Sequence, residues 1–80
     1  MFRTSDTALA AFLVTQGFPL SAIDYSSPRY EFVFDGNIDE DLIKEASQNY
    51  QTSKALVDPA TYNRILKTLL RTVRDRGQWQ

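Results

Sequence analysis

Eighty residues, 42% of them hydrophobic and ten aromatic, suffice for one small core, because a chain of this length buries only about 60% of its unfolded surface and has no second core to build. With no Cys there is no disulfide framework or thiolate metal site, and with no His the commonest general base and metal ligand is missing as well. The net charge of −1 conceals a division: residues 1–50 carry three basic and eight acidic side chains, residues 51–80 six basic and two acidic.

The amino end turns polar at once in Met1-Phe2-Arg3-Thr4-Ser5-Asp6, which does not read as a signal peptide. No run approaches the roughly 18–20 apolar residues of a membrane span. A reducing, cytoplasmic setting without membrane contact is expected. Ser5 or Asp6 is a natural N-cap for a first helix over about Asp6–Gln16, whose Leu9, Phe12 and Leu13 recur at helical spacing. Gly17 then supplies a left-handed stop, with Phe18 where a Schellman motif places its apolar contact.

From Pro19 the period changes to two. Leu20 and Ala22 alternate with Ser21, Ile23 and Tyr25, and Tyr30, Phe32 and Phe34 alternate with Glu31, Val33 and Asp35. Two strands joined by the turn-like Ser26-Ser27-Pro28-Arg29 predict an antiparallel hairpin with the Tyr30, Phe32 and Phe34 face inward. Asn37, three residues before Glu40, fits a capping box that opens a second helix through Leu42, Ile43, Ala46 and Tyr50. Lys54-Ala55-Leu56-Val57 reads as extended or turn-like and is a candidate for a short third strand. Asp58-Pro59 caps and starts the last helix, over about Pro59–Arg76 with its end at Gly77, and Val57 stands where it can staple onto Tyr62. The expected fold is α+β over residues 1–80, a single domain with an N-terminal helix, the hairpin, and two helices packed on one hairpin face.

The residues Arg3-Thr4-Ser5-Asp6, Ala10-Ala11-Phe12-Leu13, Gly17-Phe18-Pro19-Leu20, Phe32-Val33-Phe34 and Ala55-Leu56-Val57-Asp58-Pro59, in that order, resemble a family of small bacterial and phage proteins catalogued as a domain of unknown function. The resemblance lies in caps, turns and core positions. It implies a cytoplasmic bacterial or phage origin and a mobile-element setting, and it carries no catalytic residues.

Chemistry is limited by what is missing. Ser26 and Ser27 lack a histidine partner, Lys44, Lys54 and Lys67 lack an activating motif, and Gly17, Gly36 and Gly77 are isolated terminators rather than a phosphate loop. No enzyme activity, metal or cofactor is expected. Asp35-Gly36-Asn37-Ile38-Asp39-Glu40-Asp41 begins like a calcium loop, but Glu40 stands where the turn glycine belongs and Ala46 where the bidentate Glu belongs. In helix-dipole terms the acids simply suit the first turn.

The last helix is the informative element. At 100° per residue, Tyr62, Ile65, Leu66, Leu69, Leu70 and Val73 cover one broad face, while Arg64, Lys67, Arg71 and Arg74 fall within about 80° of one another on another. Four cations along about 15 Å of axis match several phosphates of a nucleic-acid backbone. Trp79 with Tyr25 or Tyr30 would add stacking if near. A solvated face rich in helix-forming cations needs no partner, and this is the plain alternative. The expected function is a non-catalytic binding module contacting nucleic acid or an acidic partner through Arg64, Lys67, Arg71 and Arg74. The alternative is a protein-interaction or inhibitory module using the hairpin edge or apolar surface.

Overall fold

A computed structural model describes residues 1–26 and 28–79. Its elements are β1 (Phe2–Thr4), α1 (Thr7–Thr15), β2 (Ala22–Asp24), β3 (Glu31–Phe34), α2 (Glu40–Gln51) and α3 (Pro59–Arg74). The fold is α+β, with an antiparallel sheet in the order β1-β3-β2 and three helices. The expected hairpin is present with shorter strands, in the register Ile23 opposite Phe32 and Asp24 opposite Glu31. Ser27, in the expected turn, lies outside the described residues.

The third strand is not where the sequence pointed. Lys54–Val57 has no strand structure, and β1 instead pairs with β3 through Phe2 opposite Phe34 and Thr4 opposite Phe32. Three residues are too few to show a period of two, and their partner is about thirty residues away. The central position of β3 explains its run of apolar residues. Phe32 and Phe34 are fully buried beside Ile23, Leu13, Ile43 and Leu69, and Tyr30 stands edge-on to Phe32 at 5.5 Å.

Val33 points to the other sheet face and is still only 8% exposed. On that face Arg3, its register partner, bonds Asp24 across the sheet and reaches Glu31 at 3.1 Å. Asp24 and Glu31 sit directly opposite each other, so without Arg3 two like charges would oppose on adjacent strands.

Asp6, Asp39 and Asp58 cap the three helices. Leu9 N–H donates to Asp6 Oδ1 at 3.1 Å, Asp41 and Leu42 N–H donate to Asp39 Oδ1 at 2.9 and 3.2 Å, and Thr61 donates to Asp58 Oδ2 through both N–H (2.9 Å) and Oγ1 (2.6 Å). The cap of α2 is therefore Asp39, not Asn37. Pro59 occupies the first turn of α3 as expected.

All three helices end in Schellman motifs, yet only one uses glycine. In α1, Gly17 N–H donates to the Val14 carbonyl and Phe18 N–H to that of Leu13. In α2 the left-handed residue is Ser53 (φ 62°), and in α3 it is Arg76 (φ 53°), one residue before the expected Gly77. A Cβ at Gly17 (φ +95°) meets nothing within 4 Å, so any penalty there is backbone strain alone. Gly17→Val should cost roughly 1–2 kcal/mol, read as a lowered Tm, because left-handed backbone is costly for any residue with a Cβ and most so for a β-branched one. An unchanged Tm would contradict the cap.

Titration follows from these bonds. Thr61's side chain and N–H hold the Asp58 carboxyl below the usual range, and Ser26, followed by Arg3, does the same for Asp24. A depressed carboxyl adds stability above the ordinary Asp value that is lost as pH falls through the folded value. Tm should therefore hold near neutral pH and drop below about pH 4, less steeply in Asp58→Asn, which keeps a capping oxygen. At the alkaline end, burial pushes the Tyr62 hydroxyl, which donates to the Ala8 carbonyl at 3.1 Å, up to about 12. The raised value favours the fold at lower pH and is lost as pH climbs from about 10 through 12.

Candidate nucleic-acid interface

In α3 the apolar face points at the core: Leu69 is fully buried, with Tyr62, Ile65, Leu66 and Val73 packed beside it and α1 as the main neighbour. At 100° per residue the direction opposite this face carries Arg64, Lys67, Arg71 and Arg74. All four are exposed. Leu70, expected on the apolar face, is 49% exposed at its margin.

Arg64, Lys67 and Arg71 line a shallow depression of about 410 Å³ together with Ala60, Asn63 and Thr68. Arg74 lies one turn beyond it, with its Nε 3.8 Å from Asp75 in a solvated pair of little energetic weight. Thr68 Oγ1 donates to the Arg64 carbonyl at 2.9 Å, so that hydroxyl is bound to its own helix. Asn63 was not legible as part of the site, because a single polar residue carries no periodic signal.

The acidic half does not cover this face. Among the described residues no carboxylate lies within 4 Å of the cationic groups of Arg64, Lys67 or Arg71. Several groups of the acidic half are engaged elsewhere: Asp6 and Asp39 cap helices, Asp24 and Glu31 hold Arg3, and Glu40 pairs with the amino terminus at 2.6 Å. Arg71 and Arg74 lie in the last turn, where the helix dipole favours cations. Arg64 and Lys67 lie mid-helix, where it does not.

The aromatic residues do not extend the site. Tyr25 donates its hydroxyl to the Gly77 carbonyl at 2.7 Å and carries the Arg76 guanidinium 4.8 Å above its ring. Tyr30 is bonded to Thr7 at 3.1 Å, and Trp79 is half-buried against the core. In the acidic segment Asp39 is a cap, and Asp35 accepts from Gly36 N–H at 2.7 Å. Among the described residues no group of three or more Asp and Glu side chains converges as a metal site. No helix among them is long and apolar enough to cross a membrane.

A second concavity, of about 350 Å³, lies between α1, α2 and the segment after α2. Phe12, Phe18, Ala46 and Ala55 form its apolar lining, and Leu42 (55% exposed) and Leu56 (88%) stand at its margin. The hairpin edge is less open. β1 covers β3, and the backbone of Ile23 in β2 is bonded to the Gln78 side chain. No family model, curated protein or solved structure matches the chain.

Proposed function

We propose that this chain is a non-catalytic binding module whose contact surface is the outer face of α3, and that its partner is a nucleic-acid backbone. One observation carries the reading: Arg64, Lys67, Arg71 and Arg74 are exposed along one side of a helix, opposite its buried face, and among the described residues no acidic side chain from another element pairs with them. Exposed cations at turn-spaced intervals meet phosphates without disturbing the core behind them. The absence of His and Cys from the sequence supports a role without catalysis, and the lack of cysteine suits the cytoplasm. The bacterial or phage mobile-element setting implied by the family resemblance belongs to the same proposal.

Contacts of this kind carry no base readout, so two duplexes of unrelated sequence should bind equally. Arg64→Ala should weaken both by the same factor, measured by fluorescence anisotropy at low salt. Strong preference for one sequence, or unchanged affinity in the variant, would contradict the proposal. A protein-interaction role is favoured by a different observation, the nearly bare Leu56 beside an apolar depression. It predicts binding that survives both added salt and changes on α3.

A further inference from the structure

β2 is the outer strand of the sheet, and its centre is closed by a side chain. Ile23 N–H donates to Gln78 Oε1 at 2.7 Å, and Gln78 Nε2 donates to the Ile23 carbonyl at 2.8 Å. A carboxamide can donate and accept side by side as a peptide group does, so Gln78 reproduces the pair of bonds that a neighbouring strand would make. Asn is the only other side chain with this chemistry, and it is one methylene shorter.

The tail is anchored on both sides of Gln78. Gly77 N–H donates to the Thr72 carbonyl at 2.8 Å, the Gly77 carbonyl accepts from Tyr25 Oη, and Trp79 packs on the core. We propose that Gln78 is an edge block, a strand mimic that keeps β2 from pairing with β2 of a second copy.

The second copy follows from the geometry of the bonds. About a two-fold axis through Ile23, the N–H and C=O groups now held by Gln78 meet their own counterparts in an antiparallel hydrogen-bonded pair. Asp24 then lies opposite Ala22 of the other copy rather than opposite another Asp24, so no like charges meet at the new junction. An unblocked strand edge is a template for such addition.

Gln78→Glu tests this with little change of shape, since a carboxylate accepts from Ile23 N–H but cannot donate to the Ile23 carbonyl. Gln78→Ala removes both bonds. Sedimentation equilibrium should show the wild type as a monomer and both variants shifting toward the dimer mass with concentration. Hydrogen exchange should show the Ile23 amide protected in the wild type and protected again in the variant dimers. Variants that stay monomeric at every concentration would overturn the proposal, as would an Ile23 amide that exchanges in the wild type as fast as an open chain. If Gln78→Ala does not fold, a monomeric Gln78→Glu overturns it alone.

Discussion

Phe32→Ala is expected to remove about 3–5 kcal/mol of stability, enough to unfold much of a domain whose total is of that order. Phe32 is fully buried at the centre of β3, opposite Ile23 on one side and Thr4 on the other, with Tyr30 edge-on to its ring. Truncation leaves a void bounded by two strands that cannot close on it without breaking register, so relaxation recovers little. Urea unfolding followed by circular dichroism measures the change. A shift of the midpoint worth less than about 1 kcal/mol would place Phe32 outside the core.

Lys67→Glu combined with Arg71→Glu is expected to abolish duplex binding while leaving the circular dichroism spectrum nearly unchanged and the domain folded. Both side chains are exposed and line the same depression, so reversal replaces two cations facing a phosphate backbone with two anions. Neither touches the buried face that carries Leu69. Glu is as good a helix former as Lys or Arg, so the loss to the helix is confined to the anion at position 71, about 1 kcal/mol against the dipole of the last turn. Anisotropy titrations of wild type and double variant at one low salt concentration read the outcome. Binding retained by the folded double variant would move the contact surface away from α3.

Periodicity made most of the architecture legible. Leu9, Phe12 and Leu13 marked α1, the alternation through Phe32 and Phe34 marked the hairpin, and Asp58-Pro59 marked the start of α3. What depended on distant partners was not legible. β1 is a strand only because Phe34 and Phe32 lie beside Phe2 and Thr4. Within the acidic run the sequence pointed to Asn37 as the cap, and the helix is capped two residues later, by Asp39. The left-handed position at the end of α3 fell on Arg76 rather than Gly77, where Arg76 packs over Tyr25 of the hairpin.

The candidate site divides the same way. The 100° arithmetic on α3 placed Arg64, Lys67, Arg71 and Arg74 on one face from the sequence alone. Whether the acidic half would neutralise that face depended on where side chains such as Asp24, Glu31 and Glu40 found their own partners, which is a tertiary property. Gln78 gave no signal at all, because its significance comes from Ile23, 55 positions earlier.

The salt dependence of binding tests the central claim most directly. Four cations displacing counterions from a duplex predict that log affinity falls with log salt at a slope of about −3.6, and that removing Arg64, Lys67, Arg71 or Arg74 one at a time makes the slope shallower by about one unit each. A slope near zero, or one that the four single variants leave unchanged, would contradict it.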